Sequence, residues 1–593
     1  MKIIRFFALG ILSICASSWA ISSDEAKIAA VENGLLPANV FKGDKPWTLQ
    51  ERMQHYGVPG VSIAVIRDFK VSWYKTYGLA DRETGEPVVA TTLFQAGSVS
   101  KPVAAFGALQ LVEAGQLTLD SDVNSTLVSW KLPDNEFTTE NKVTLRQLLS
   151  HTGGLTVHGF GGYAAGDPVP DIVQVLNGTP PANSAPVIVD KAPGGSFRYS
   201  GGGYTAAQLM MSDATGKSFP ALMDELLIKP LGMSRSTYEQ PLPAEWLKHA
   251  AAGVLPDGSA VAGKRHTYPE MAAAGLWSTA EDLALFAIEM QKALKGESQL
   301  MNKELAHTMT SPVDSGYALG WGVSARGESG YFSHGGWDEG FCTQLTAHLD
   351  NGFGVVVMIN SNHPAFLDEL VNAVAHTYSW DGYQVNDVLP IPQDWLTKYS
   401  GRYRYNAMLA LSVTSEHGKL FVTYPGGKPQ ELVYTGDGRF LRRERAAPIV
   451  FSDTENGPAF NFVLGDGERQ SHNRLANDAQ SPSDLLIAGR YEGALVAIRS
   501  ALAENPGEES LSEGYLNGLG LNSLTESPAL AIGILRINTD LYPQSANTWD
   551  SLAYAYQNTG NRDKAVEHYR NALKRDPEFA SALKGLAELE DAQ

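Results

Sequence analysis

The chain contains 593 residues, a length that predicts about three or four domains rather than one. Hydrophobic residues make up 43% of the sequence, which is ample for packed cores. The formal net charge of -19 argues against a nucleic-acid partner, because nucleic acids bind to basic surfaces.

The N-terminus has the pattern of a secretory signal peptide over residues 1–20. Lys2 and Arg5 precede an apolar run, and small residues lead up to Ala20, near which we expect cleavage. The predicted location is therefore the periplasm, with secretion beyond the cell as the alternative. The mature chain would retain only Cys342, so no internal disulfide is expected. No later segment is long and apolar enough to predict a transmembrane helix.

Residues 21–388 are predicted to form one α+β domain. β-rich runs occupy 55–92, a helical and loop-rich stretch extends over 98–310, and strands return after it. Inside that stretch Ser278 is predicted to be a helix N-cap, with Glu281 completing a capping box. Strands at both ends of a helical insertion predict one antiparallel sheet with a helical subdomain beside it. A ligand site is expected in the cleft between the two.

Two further regions follow this domain. Short β-rich runs separated by turn residues over 394–475 predict a small all-β barrel, with a sandwich as the alternative. Residues 484–593 are helical and match the tetratricopeptide spacing, with a degenerate copy 34 residues earlier. Such repeats stack and expose a concave surface, so a protein partner is expected there. The repeat positions are Trp549, Leu552, Tyr556, Ala565, Tyr569, Ala572 and Pro577.

A serine and a lysine three residues apart, Ser98 and Lys101, are the first catalytic candidates. Residues i and i+3 are neighbours on a helix, so the amine can take the proton of the hydroxyl, provided that burial or a nearby cation lowers the pKa of the lysine. The same Ser-x-x-Lys pattern starts at Ser72 and Ser581. Ser72 lies in a predicted strand and Ser581 in a predicted surface helix. Only Ser98 follows a glycine and precedes an apolar helical run, so it is the candidate nucleophile.

Four more candidates lie in a Tyr-Ser-Gly segment and a His-Gly-Gly-Trp segment. Tyr199 is a candidate general base, provided that a cation lowers its pKa. His334 is followed by Gly336 and Trp337, where a ligand can approach the strand backbone and an edge amide can stabilise an oxyanion. The Ser-His pair beginning at Ser150 is interpreted as structural, because adjacent side chains on a helix do not face each other.

Together these segments resemble the serine β-lactamase-like hydrolases of the class C type, over about residues 45–380. That family includes DD-carboxypeptidases, D-amino-acid-specific peptidases, β-lactamases and esterases. The regions after it resemble the lipocalin-like β domain and tetratricopeptide repeats that some members append. The resemblance is carried by the ordered segments 94–101, 148–155, 199–201, 276–283, 320–322 and 334–336.

The resemblance implies a role for each candidate. Ser98 would be acylated, Lys101 would hold or take its proton, and Tyr199 would be the general base. His334 would orient a substrate carboxylate or support Tyr199. The amides of Ser98 and Trp337 would form the oxyanion hole.

Two departures from the family pattern bear on the substrate. Gly201 stands where the second motif usually has an asparagine that binds the substrate amide, which weakens the case for an efficient β-lactamase. His334 replaces a lysine, which favours the peptidase and esterase branches.

The sequence therefore predicts an exported serine hydrolase that needs neither a metal nor a cofactor. Its first expected substrate is a peptide containing D-amino acids, and a small peptide or ester is its expected ligand. A carboxylesterase or a weak β-lactamase with the same mechanism is the alternative. A binding protein that has lost catalysis and acts through its repeats is an alternative of another class.

Overall fold

The computed structural model describes residues 24–455, 457–463, 469–476 and 478–591. The predicted signal peptide lies outside these residues. The chain divides into two compact units, one up to Val385 and one from Asn386. Among the described residues, no helix has the length and apolar character needed to cross a bilayer.

The first unit is built on one antiparallel sheet of seven strands, in the order β3-β2-β1-β9-β8-β7-β6. Strands from the start of the unit pair directly with strands from its end, as Val61 does with Ile359. This confirms the predicted sheet made from both ends of the domain. A separate two-stranded pair joins β4 to β5. The strands are β1 Gly60–Arg67, β2 Lys70–Asp81, β3 Glu86–Pro87, β4 Phe94–Gln95, β5 Trp277–Ser278, β6 Gly322–Arg326, β7 Ser329–Asp338, β8 Phe341–His348 and β9 Gly354–Ile359.

Strand β1, which lies inside the sheet, is buried on both faces. Val61, Ile63 and Val65 pack in one apolar cluster with the helix after β9. Ala64 and Ile66 point the other way, into a larger cluster formed with the helical subdomain. Alternate residues of a strand face opposite sides of a sheet, so its nearly all-apolar sequence reflects two cores.

The helices of this unit lie mainly between β4 and β6. One predicted start is wrong by a residue: Thr279, not Ser278, caps the helix, and its side chain accepts a hydrogen bond from the Asp282 amide. Ser278 instead ends β5 and bonds the Ser236 hydroxyl at 2.8 Å. The helices are α1 (24–32), α2 Leu49–Tyr56, α3 Ser100–Glu113, α4 Leu145–Leu149, α5 Ile172–Asn177, α6 Gly201–Thr215, α7 Phe219–Met223, α8 Lys229–Leu231, α9 Ala244–Leu247, α10 Met271–Ala274, α11 Ala280–Lys295, α12 Lys303–Thr310 and α13 Pro364–Thr377.

The second unit begins with α14 and an eight-stranded antiparallel sheet that curls into a nearly closed barrel. Backbone bonds bring its ends together: Arg404 N donates to Asn473 O at 2.9 Å, and Leu475 N to Arg402 O at 2.7 Å. Aromatic residues such as Phe440 fill the interior. The elements are α14 Gln393–Tyr399, β10 Gly401–Arg404, β11 Ala410–Glu416, β12 Lys419–Thr423, β13 Gln430–Gly436, β14 Arg439–Arg442, β15 Arg445–Thr454, β16 Gly457–Val463 and β17 Arg469–His472.

Antiparallel helix pairs complete the unit and pack directly on the barrel. Met408 and Leu409, before β11, share an apolar cluster with Leu486 and Leu516 of the helices. The Asn406 amide donates to the Tyr515 hydroxyl at 2.8 Å. The helices are α15 Pro482–Ile487, α16 Tyr491–Glu504, α17 Glu513–Ser523, α18 Pro528–Leu541, α19 Ala546–Asn558, α20 Arg562–Leu573 and α21 Ala580–Asp591.

Candidate active site

Ser98 lies in a 3₁₀ turn, Gly97–Val99, that leads directly into α3. Gly97 has φ of +53°, a conformation that costs glycine little. A side chain there would also collide, because a β-carbon would lie 2.5 Å from the Trp337 amide nitrogen. Glycine therefore lets the nucleophile turn approach β7 closely. The other two serines of the pattern lie elsewhere, Ser72 on β2 and Ser581 on α21.

Lys101 is buried and its amine contacts the Ser98 hydroxyl. Its side chain is only 2% exposed, and Nζ donates to Ser98 Oγ at 2.9 Å and to the Ala273 carbonyl at 2.7 Å. Ala273 belongs to α10, which packs against α3 and α6. The short helix α10 therefore fixes the amine beside the hydroxyl.

Tyr199 lies immediately before α6, and its ring covers the lysine. Lys101 Nζ is 4.9 Å from the centre of the Tyr199 ring and 5.7 Å from that of Tyr204. A cation at this distance is attracted by the face of an aromatic ring. The structure thus brings Ser98, Lys101 and Tyr199 together around one amine.

His334 lies on β7 and is neutral at neutral pH. Burial, with the charge of Lys101, lowers its pKa to about 3. Its Nδ1 bonds the Gly335 carbonyl at 2.6 Å, and Nε2 faces the Tyr317 hydroxyl at 3.0 Å. With Nδ1–H donating, Nε2 is left to accept from the tyrosine. A neutral imidazole has no positive charge with which to bind the substrate carboxylate that the family resemblance suggested for His334.

The backbone of Gly336 and Trp337 runs beside the nucleophile turn. A β-carbon at Gly336 would lie 2.0 Å from the Ala96 carbonyl oxygen and 3.3 Å from the Ser98 amide nitrogen. The Trp337 side chain is 51% exposed. The turn that carries the Ser98 amide and the strand that carries the Trp337 amide therefore lie in close contact, while the Trp337 residue is exposed.

His151 is a site residue that sequence reasoning missed. Its ring centre is 4.2 Å from that of Tyr199, and its Nδ1 accepts the Ser200 amide at 3.0 Å. Its backbone is left-handed, with φ of +60°, whereas the neighbouring Ser150 bonds Thr152. The only sequence signal was an Ser-His pair, which gives no hint of a contact with residue 199.

Two further carboxyl groups, those of Glu270 and Asp338, are buried and interact electrostatically with each other. Burial raises the pKa of Glu270 to about 8 and the pKa of Asp338 well above its ordinary value. Both Glu270 carboxylate oxygens lack a hydrogen-bond partner in the part of the chain that the structure describes. The charge of Lys101 acts on His151, His334 and Asp338 alike.

Side chains that could bind a metal ion do not cluster in the described part of the chain. No group of three or more His, Cys, Asp or Glu side chains there is arranged to hold an ion. Cys342 is a buried free thiol.

Several known proteins are similar to this chain. The chain is 25% identical over 319 residues to the protein flp of Staphylococcus aureus strain N315, covering 53% of this chain and 62% of flp. It therefore spans about three fifths of that relative. It is 22% identical over 453 residues to penicillin-binding protein 4* of Bacillus subtilis, covering 71% of this chain and 96% of that protein. The octameric penicillin-binding protein homologue from Pyrococcus abyssi is 21% identical, with a TM-score of 0.49 over 72% of this chain and 98% of its own.

Family profiles match both units. A tetratricopeptide repeat profile matches residues 546–589, which confirms the repeat unit predicted from Trp549 to Pro577. The beta-lactamase profile matches residues 48–377, more than half of the chain. The chain therefore belongs to the beta-lactamase family.

Proposed function

We propose that the protein is a serine hydrolase that forms an acyl-enzyme on Ser98. The observation that supports this best is the buried Lys101 amine, 2.9 Å from the Ser98 hydroxyl. A hydroxyl needs a nearby base to act as a nucleophile. Ser98 attacks a carbonyl carbon, the leaving group departs with a proton, and water then hydrolyses the ester.

The surrounding groups have distinct roles in this proposal. Lys101 and Tyr199 hold and transfer the proton, since the phenol covers the amine. The amides of Ser98 and Trp337 stabilise the oxyanion. His334 supports the tyrosines rather than receiving a charged group, because it is neutral and bonded to Tyr317.

The first proposed substrate is a peptide that contains D-amino acids and lies outside the cytoplasm, where the exported protein would meet it. One relative is named penicillin-binding protein 4*, and its name supports a site in this protein that accepts penicillin-like compounds. Export rests on the signal-peptide pattern and on predicted cleavage near Ala20. A carboxylic ester is the second candidate, favoured by the neutral His334, since an ester brings no carboxylate that needs a cation.

Intact-protein mass spectrometry after exposure to penicillin, a D-Ala-D-Ala peptide and a p-nitrophenyl ester tests the proposal. We expect a mass increase located on Ser98, absent in Ser98→Ala. Ser72→Ala and Ser581→Ala are matched controls, because they remove the serines of the same pattern outside the site. Hydrolysis or labelling that persists in Ser98→Ala would contradict the assignment.

A further inference from the structure

Trp337 lies near the end of β7, where the sheet covers only one edge of that strand. Strand β6 pairs with β7 only as far as Ser333, whereas β8 continues on the other side through Asp338. The nucleophile turn lies against the uncovered edge, since a β-carbon at Gly97 would lie 2.5 Å from the Trp337 amide nitrogen. Among the described residues, sheet pairing therefore fixes Trp337 from one side only.

The tip of the β7–β8 hairpin is held by side chains from outside the hairpin. The Glu339 amide donates to the Tyr268 hydroxyl at 2.9 Å. The Gly340 amide donates to Asn362 Oδ1 at 2.7 Å. Because Trp337 lies just before this tip in the same strand, the two bonds also constrain the position of its amide.

Tyr268 is fully buried and its hydroxyl stays protonated at neutral pH. Burial raises the pKa of this phenol well above its ordinary value. The hydroxyl donates to the Gly161 carbonyl at 3.4 Å while it accepts from Glu339. A neutral hydroxyl can donate one hydrogen bond and accept others, so the phenol fills both roles.

The segment that carries Tyr268 also holds the amine of the site. Ala273 follows in α10, and its carbonyl accepts from Lys101 Nζ at 2.7 Å. The Gln208 side chain of α6 donates to the backbone of this segment at 3.1 Å and accepts from it at 2.9 Å. Residues 268–273 are thus anchored to α6 and contact both the oxyanion strand and the amine.

We propose that Tyr268 is a positioning residue that holds the Trp337 amide where it can stabilise the oxyanion. The inference rests on the proposed function, since the oxyanion forms when Ser98 attacks a carbonyl carbon. Tyr268 acts through the hairpin tip and does not touch the substrate. An oxyanion donor works only within hydrogen-bond distance of the oxygen that becomes charged, so even a small displacement of the tip weakens it.

Tyr268→Phe tests the inference, because it removes the hydroxyl and keeps the buried ring. We expect kcat for a p-nitrophenyl ester to fall about tenfold, the scale of one lost hydrogen bond. KM is expected to stay within about twofold, because the lost interaction acts in the transition state.

The carbonyl stretch of the Ser98 acyl-enzyme, identified with a carbon-13 label, reports the hydrogen bonds to the carbonyl oxygen directly. We expect it to move to higher wavenumber in Tyr268→Phe, since weaker hydrogen bonding leaves a stronger C=O bond. A merely structural role of Tyr268 would lower stability without moving this band.

Tyr331→Phe is the matched control. Tyr331 is a buried tyrosine near the start of the same strand, and its hydroxyl donates to the Asp381 carbonyl at 2.6 Å. This variant is expected to leave both kcat and the carbonyl stretch unchanged. An unmoved carbonyl stretch in Tyr268→Phe, with Ser98 still acylated, would overturn this inference and leave the proposed function standing. Absence of Ser98 acylation in the unaltered protein would overturn both.

Discussion

The imidazole of His151 packs on the phenol ring of Tyr199, with ring centres 4.2 Å apart, while its Nδ1 accepts the amide of Ser200. The histidine thus holds the ring of the tyrosine that covers Lys101, and it holds the backbone of the residue that follows this tyrosine. Its own position depends on a left-handed backbone, which histidine tolerates better than most residues do.

Removing this support is expected to slow catalysis without removing a reacting group. His151→Ala loses the ring contact and the acceptor for Ser200, so kcat is expected to fall about a hundredfold, the scale of a displaced catalytic group. His151→Asn keeps a polar acceptor and suits the left-handed backbone, so a smaller loss is expected. Steady-state kinetics with an ester substrate measures both, and equal rates in His151→Ala and the unaltered protein would contradict the positioning role.

Replacing Tyr199 by phenylalanine isolates the hydroxyl from the ring. The ring contacts with His151 and Lys101 remain possible, while the proton-transferring group is lost. We expect turnover to fall at least about a hundredfold, the usual contribution of a general base. Single-turnover acylation of Ser98 is the measurement. A near-normal rate would assign proton transfer to Lys101 alone.

The spacing of residues in the sequence predicted those contacts of the site that form within a single helix. Ser98 and Lys101 are three residues apart at a helix start, so their contact follows from helix geometry. The contact between His151 and Tyr199 joins residues far apart in sequence and depends on how α4 meets α6. No periodic pattern records such a contact, which is why the Ser-His pair was interpreted as structural only.

The fold itself was predictable where strands and repeats leave periodic patterns. The sheet built from both ends of the first unit and the helix pairs of the second follow from such patterns. The burial of Glu270 was not predictable from the sequence, because a glutamate normally occupies an exposed position on the protein surface. The shift from Ser278 to Thr279 at a helix start shows that two adjacent hydroxyl residues leave the N-cap ambiguous.

Replacing Gly336 by alanine should disturb the predicted oxyanion hole. Its β-carbon would lie 2.0 Å from the Ala96 carbonyl oxygen, so the nucleophile turn and β7 must separate. We expect Gly336→Ala to lower kcat by about 100-fold or more, as for loss of an oxyanion donor. Gly335→Ala is the control on the same strand, since its β-carbon meets only the Gln344 Oε1 at 3.3 Å. Similar rates for the two variants would contradict this account.

The buried Glu270 is expected to make the protein less stable as the pH rises from about 4.5 to about 8. Its pKa is raised to about 8 in the folded chain from an ordinary value near 4.5. Between these values the unfolded chain has released the proton and the folded chain keeps it, so folding requires proton uptake. Below both values the carboxyl is protonated in either state, and this contribution vanishes.

Glu270→Gln removes this titration while keeping the shape of the side chain. We compare the free energy of unfolding of the variant with that of the unaltered protein at each pH. We expect the variant to gain roughly a few kcal/mol relative to the unaltered protein between pH 5 and pH 8. Chemical denaturation across that range measures the difference. A difference that is the same at every pH would show that Glu270 ionises normally in the folded protein.

Two glycines on α17 offer a matched test of packing in the second unit. A β-carbon at Gly520 would lie 2.5 Å from Leu535 Cγ, whereas one at Gly518 meets no atom within 4 Å. Gly520→Ala is therefore expected to destabilise the unit by about 1–3 kcal/mol through overpacking. Gly518→Ala should stabilise it by about 0.5–1 kcal/mol, because alanine favours a helix interior over glycine. Denaturation followed by circular dichroism measures both, and a shift of the same sign in the two variants would contradict the close packing of α17 against α18.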